Sequence, residues 1–187
     1  RITTVEDLIR AENLTKEFPV YQSFLDALFA GGGNPVVHAV DDVSFSIAKG
    51  EVLGLAGESG SGKSTTGRLL LRLLEPTAGS VVYRDRDMTH INRRDMEALR
   101  RRLQIVFQDP NSSLSPRMTV GEAINHPLKI YRMGSPTERR ETVHRLMERV
   151  GLSPVEFLYQ KYPHQISGGQ AQRVVLARAL VTSPEFI

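Results

Sequence analysis

GESGSGKS, residues 57–64, decides how this chain is to be read. It fits the pattern G-x-x-x-x-G-K-[ST] through Gly57, Gly62, Lys63 and Ser64. A short apolar stretch precedes it, 51–57 (EVLGLAG), predicted as a strand buried on both faces of a parallel sheet. A predicted helix follows over 63–74, with Leu69, Leu70, Leu73 and Leu74 on one side and Glu75-Pro76 ending it. Strand, glycine loop and helix together form the context in which this pattern cradles phosphate. A polyphosphate must be wrapped in backbone N–H donors, and side chains at Gly57, Gly60 and Gly62 would block that approach. Ser59 and Ser61 lie within the same loop. Lys63 brings a cation to the β- and γ-phosphates, and Thr65 reaches the α-phosphate side. Ser64 supplies a neutral hydroxyl to Mg²⁺, a hard ion that prefers oxygen ligands. The loop therefore predicts nucleotide binding.

Composition sets the frame around that loop. The 187 residues suffice for one domain, or one domain with an inserted lobe. The chain is 40% hydrophobic and 24% charged, enough apolar material for a real core. A net charge of +3 is too weak to argue for nucleic acid. With no cysteine, disulfides, thiolate metal sites and cysteine nucleophiles are excluded. No apolar run approaches the roughly 20 residues that span a bilayer. No signal peptide heads the sequence. It starts at Arg1 and stops at Ile187 inside an apolar run, so the expectation is a piece of a longer protein.

Working outward, residues 8–14 and 36–47 alternate and read as strands, the second with Val43, Phe45 and Ile47 on one face. Between them, Tyr21, Phe24, Leu25, Leu28 and Phe29 make an amphipathic helix stripe that Gly31-Gly32-Gly33 ends. A helix lying on its own sheet is the preferred reading there, over a docking helix for a membrane or partner. Residues 80–84 and 103–107 read as further strands and 95–102 as a basic helix. Residues 111–118 are loop-like, and helices follow at about 119–125 and 136–150. The second begins with a capping box, Ser135-Pro136-Thr137-Glu138, and stops at Gly151. A last helix runs over 168–181, Ser183-Pro184 breaks it, and Glu185-Phe186-Ile187 starts another strand.

The last helix opens with a second glycine motif, Ser167-Gly168-Gly169-Gln170. A helix start with free N–H groups and a positive dipole end is a second anion site. This motif resembles the signature of ATP-binding-cassette (ABC) ATPases, usually LSGGQ, with Ile166 in the leucine position and Ala171 where Arg or Gln is frequent. The resemblance covers nearly the whole chain, and its parts fall in the family's order: Phe18, the phosphate loop, Gln108, a helical stretch, the signature. It implies an α/β P-loop NTPase fold in three parts. An N-terminal antiparallel β lobe would span 1–50, a RecA-like parallel-sheet core 51–110 and 166–187, and an inserted helical lobe 111–165.

The resemblance also explains why one chain would carry two phosphate sites. In the family, two cassettes pack head to tail, and each ATP lies between one phosphate loop and the other chain's signature. Ser167, Gly168, Gly169 and Gln170 would then face a partner's γ-phosphate. Phe18 would stack on adenine. Gln108 would touch Mg²⁺ and the attacking water, and would hinge the helical lobe. Lys63 and Gln108 are thus the implied catalytic residues, Ser64 and Gln108 the implied Mg²⁺ ligands, and ATP with Mg²⁺ the implied cofactors.

The run from Phe107 to Arg117 (FQDPNSSLSPR), Tyr162-Pro163-His164 and the insert before 36–47 look like cassettes of oligopeptide and dipeptide importers. Nickel, glutathione and opine importers have closely similar cassettes. The resemblance implies a peripheral ATPase on the cytoplasmic face of the inner membrane. It would work with a second cassette, identical or different, with transmembrane permease subunits and, indirectly, with a substrate-binding protein. The family's next element is the Walker B strand with its Asp and catalytic Glu, of which Phe186-Ile187 looks like the first half. The D-loop and switch histidine would lie further on, and none of the five histidines present fills that role. This chain alone is therefore expected to hydrolyse ATP poorly or not at all, and to fold marginally.

Two alternatives stand beside this reading. A DNA-repair or chromosome-structuring ABC ATPase shares both phosphate motifs, and Arg93, Arg94, Arg100, Arg101 and Arg102 could serve it. Such proteins carry long insertions between the two motifs, whereas this interval is short. The arginines read better as a solvated face, and no nucleic-acid partner is expected. A non-hydrolysing nucleotide-binding fragment is the other alternative.

Overall fold

Period-two patterning at the start of the chain becomes two long antiparallel strands. The computed structural model describes residues 6–19 and 35–187. The helix expected over the insert lies outside these residues. Two units are distinguished, Arg1–Met96 and Glu97–Ile187.

In the first unit, β1 (Asp7–Pro19) pairs with β2 (Val36–Ala48) from Asp7 opposite Ala48 to Pro19 opposite Val36. The other edge of β1 takes β3 (Ala78–Tyr83), which turns into the short β4 (Arg86–Asp87). The sheet order is β2-β1-β3-β4, antiparallel throughout. Val43, Phe45 and Ile47 do share the inward face, while Ser44 and Ser46 are exposed. Asn13 and Asp42 interrupt the ladder at positive φ, joined by a 2.8 Å hydrogen bond from Asn13 Nδ2 to Asp42 Oδ1. Short polar side chains tolerate that conformation, so the irregularity falls on them. Ile9, Leu14, Val81 and Met88 are fully buried in this unit. Each such aliphatic side chain contributes about 1.5–3 kcal/mol by leaving water.

Helix α1 (Lys63–Leu70) packs on β1 and β2 and buries Leu69 and Leu70. It stops four residues short of the predicted end. Arg72 takes a positive φ and turns its guanidinium to the carbonyls of Met88 and Thr89. Leu73, predicted on the apolar side, is consequently exposed. The strand predicted over 51–57 is not formed: these residues pair with no strand among those described, and Val52 is 94% exposed. An apolar run becomes a parallel strand only when neighbours bond both its edges and cover both its faces.

The second unit is helical. It begins near α2 (Arg93–Arg100), continues through a short turn of helix α3 (Pro110–Ser113), and then α4 (Val120–Ile130) and α5 (Pro136–Arg149). Next come α6 (Val155–Tyr159), a 3₁₀ turn (Pro163–Gln165) and α7 (Gly168–Leu180). Sequence patterning misses α3, α6 and the 3₁₀ turn, all too short to show a helical period. It also stops α4 early, because Pro127 lies inside the helix. Helix α7 is central, burying Ala171, Val174, Val175 and Ala177 against Ile124, Val143 and Met147 of the same core. The small side chains of α7 let its backbone approach α4 closely. Gly121 does the same for the packing of α4 on α6, for a Cβ there would lie 2.4 Å from the Tyr159 ring.

The expected parallel core is reduced, among the described residues of this unit, to one bridge between Leu103 and Phe186. Gln104 N donates to Phe186 O at 3.0 Å, and Arg102 pairs with Glu185 at 3.4 Å. Residues 103–107 otherwise form no strand, and Phe107 is exposed. Glu185-Phe186-Ile187 does begin a pairing, as the sequence predicts.

Candidate functional site

The phosphate loop enters α1 through Gly62, which takes φ 87° and ψ −3° as the N-cap. A side chain is doubly excluded there. The left-handed conformation disfavours it, and a Cβ would fall 2.1 Å from the carbonyl oxygen of Ala39 on β2. With glycine as cap, no side chain bonds the first N–H groups of α1. These groups open toward the loop at the positive end of the helix.

Lys63 closes the curl. Its Nζ donates to Gly57 O at 2.8 Å, Glu58 O at 2.5 Å and Ser61 Oγ at 3.1 Å. An ammonium has three donors, and these contacts use all three. The cation is thus held at the centre of the loop. Gly57 gives it room, since a Cβ there would meet Ser61 Oγ at 2.7 Å. Ser59, Gly60 and Ser64 are exposed and Thr65 is half-buried. Next along the chain, Thr66 anchors the first turn, its N and Oγ1 both donating to Gly62 O at 2.8 and 3.1 Å.

Phe18 sits near the end of β1 opposite Val37, 38% exposed, with Lys16 Nζ 5.2 Å from its ring centroid. Val37 and the Ala39 that underlies Gly62 are two residues apart on β2, about 7 Å along the strand. The first unit therefore brings the aromatic residue close to the loop.

In the second unit, Ser167 is the N-cap of α7. Gln170 N donates to Ser167 Oγ at 3.2 Å, and Ser167 N donates to Gln170 Oε1 at 2.9 Å. This reciprocal capping box is written in the sequence as S-x-x-Q. That spacing is legible in the sequence, as it is at Ser135 and Glu138. Gly168 and Gly169 are exposed, and a Cβ on either would meet nothing within 4 Å. The helix start is therefore firm in shape and open in front.

Two arginines of α7 hold it in place. Arg173 Nη1 donates to Gly151 O at 2.8 Å, at the end of α5. Arg178 Nη1 donates to Ser113 O, at the end of α3. Sequence reasoning assigned neither, because both acceptors are main-chain atoms far along the chain. Gln108 is exposed, one residue before the Asp109 whose Oδ2 accepts from Ser112 N at 3.3 Å. Among the described residues no His, Asp and Glu cluster could hold a metal ion by itself.

The ABC transporter family model matches residues 40–187, which include both glycine motifs. The chain belongs to the ABC transporter family. The cassette is 43% identical over 180 residues to a Sinorhizobium fredii protein named "Probable peptide ABC transporter ATP-binding protein y4tS", covering 96% of this chain and 49% of that one. It is also 43% identical over 182 residues to the glutathione import ATP-binding protein GsiA of Escherichia coli O6:H1, covering 97% of this cassette and 28% of that protein. The cassette thus spans about half the length, or less, of these curated relatives. Among solved structures it is similar to the dimeric ATP-binding cassette MJ0796 in a post-hydrolysis state bound to ADP and Pi. That match has a TM-score of 0.79 and 30% identity over 94% of this chain and 70% of the other. The α/β cassette fold expected from the sequence is the fold found.

Proposed function

We propose that this cassette is the ATP-binding and hydrolysing part of the energy-coupling subunit of a membrane importer, with peptides as cargo. The observation that carries the proposal is the pair of glycine-lined helix starts, one around Lys63 and one behind Ser167. Each offers backbone N–H groups where a side chain would block an anion. ATP bound at the first would present its γ-phosphate to the second on another cassette, so the nucleotide joins the two copies. The names of the peptide and glutathione import relatives support the cargo class, and the dimeric state of MJ0796 supports the pairing.

Within this reading, Gly57, Ser59, Gly60, Ser61, Gly62 and Lys63 wrap the phosphates, and Thr65 lies on the α side. Phe18 stacks on adenine. The donor set suits Mg²⁺, since Ser64 offers an exposed hydroxyl oxygen beside a polyphosphate cradle. When bound, Mg²⁺ neutralises charge on the β- and γ-oxygens. Gln108 orients the attacking water and marks the hinge of the helical lobe. Ser167, Gly168, Gly169 and Gln170 complete the partner's site. The division into a β lobe (1–50), a phosphate-loop core (51–110 and 166–187) and a helical lobe (111–165) belongs to the same proposal. So do permease partners and a place on the cytoplasmic face of the membrane. Among the described residues, no helix is long and apolar enough to cross a membrane. The relatives' names do not favour the DNA-associated alternative, and one arginine of the basic stretch, Arg102, is ion-paired locally with Glu185.

The absence of native cysteine gives a clean test. Ser59→Cys in one tagged copy and Gly169→Cys in another should crosslink between chains, with a yield that rises on adding Mg-ATP and stays flat with AMP. A crosslink indifferent to nucleotide, or one formed only within a doubly substituted chain, sinks the reading.

A further inference from the structure

The segment that follows Gln108 is joined to the signature helix by a hydrogen bond that neither motif contains. The segment after Gln108 is a small knot: Ser112 Oγ and Ser113 Oγ donate to Asp109 O at 3.1 and 2.9 Å, and Ser112 N donates to Asp109 Oδ2 at 3.3 Å. Leu114 pins the knot into the core at 5% exposure. At the open end of this turn, the Ser113 carbonyl accepts from Arg178 Nη1. Arg178 stands on α7 ten residues beyond Gly168, about 15 Å along a helix that bears the signature at its start. Burial draws the Arg178 guanidinium below its ordinary value, yet arginine remains charged in proteins. A half-buried cation facing a helix-terminal carbonyl makes a charge-assisted bond, stronger than a neutral one.

We propose that Arg178 is a positioning residue that locks the Gln108–Ser113 segment to the signature helix, so that the placement of Gln108 and the phosphate-facing end of α7 are set together. It touches no nucleotide and acts only through Gln108. The inference rests on the ATPase reading given above, and deepens it by naming the part through which the two motifs share one geometry.

The test uses the natural full-length protein carrying these residues, with Arg178→Met, Arg178→Lys and Gln108→Ala. Arg178→Met should keep affinity for a fluorescent ATP analogue within about twofold, since the phosphate loop is untouched. Its kcat for ATP hydrolysis should fall roughly tenfold to a hundredfold at nearly constant KM, the signature of misplaced groups. Arg178→Lys, which keeps one donor to the carbonyl, should recover most of the loss. In the Gln108→Ala background, Arg178→Met should cost nothing more, because its effect runs through Gln108. Additive losses, or a raised KM with unchanged kcat, would overturn the inference. Amide exchange without nucleotide supplies an independent arm: residues 112–114 should exchange faster in Arg178→Met and normally in Arg178→Lys. Unchanged protection there refutes the link, whatever the ATPase data show. A parent protein that neither binds nor hydrolyses ATP refutes the functional reading instead, and leaves the exchange arm to decide on Arg178.

Discussion

Gly62 shows how a single missing atom shapes the phosphate loop. Its left-handed backbone and the Ala39 carbonyl 2.1 Å from a would-be Cβ act against the same change. Gly62→Ala should therefore destabilise the first unit by about 2–4 kcal/mol, combining the left-handed penalty with overpacking. A urea unfolding midpoint checks this, and an unchanged midpoint would mean the loop can shift away from β2. Gly121 offers a parallel case in the second unit, where Tyr159 occupies the space of its Cβ. Gly121→Ala should cost about 1–3 kcal/mol, and Tyr159→Leu should relieve most of that cost in the double variant. Additive destabilisation of the two changes would show that the ring is not the obstacle. The first of these glycines was legible in the sequence, since G-K-[ST] demands it. The second was not, because its reason is a tyrosine 38 positions away, reached only through the packing of α4 on α6.

At the scale of elements, three helices begin with the same reciprocal cap but differ in the partner. Helices α4 and α5 pair Thr119 with Glu122 and Ser135 with Glu138, whereas α7 pairs Ser167 with Gln170. Hydrogen bonds from the Thr119 backbone and from the Ser135 backbone hold the Glu122 and Glu138 carboxyls below their ordinary values. A depressed carboxylate adds stability that is full above its unfolded pKa and is lost as pH falls through the folded one. Acidification below the usual carboxylate range should thus loosen the first turns of α4 and α5. The start of α7, capped by an amide, should not respond. Amide exchange of 120–123, 136–139 and 168–171, corrected for intrinsic rates at neutral and acidic pH, would show it. Equal loosening of all three starts would contradict the assignment. Capping signals are local and so can be read directly: Ser135 to Glu138 was. Element ends and strand pairing are set at a distance. Helix α1 stops at Leu70 because Arg72 reaches carbonyls 16 and 17 residues away. The apolar 51–57 run announces burial but not the neighbours that would provide it.

For the whole molecule, the sequence carried the family and the order of its motifs, because phosphate binding is written in short spacings. It could not carry Arg178, whose partner lies 65 residues back. If ATP joins two cassettes, sedimentation should show Mg-ATP doubling the mass of the chain. That shift should weaken with added salt, since charge on the γ-phosphate supplies the attraction. Ser167→Asp tests the same point from the other side. Aspartate is as good a cap as serine, so stability should hold within about 0.5 kcal/mol. A negative charge facing phosphate should abolish the mass shift. Persistence of the shift in that variant would place the nucleotide elsewhere.

The cap on α7 also determines what that helix start can recognise. Both side-chain oxygens at its tip, Ser167 Oγ and Gln170 Oε1, accept from main-chain N–H groups. In front of Gly168 and Gly169 the main-chain N–H groups stay uncovered, since a Cβ on either would meet nothing within 4 Å. Such a surface sorts its visitors by sign and size, and is blind to base or sugar. Under the proposed function, discrimination among nucleotides would then fall to the strand-end neighbourhood of Phe18.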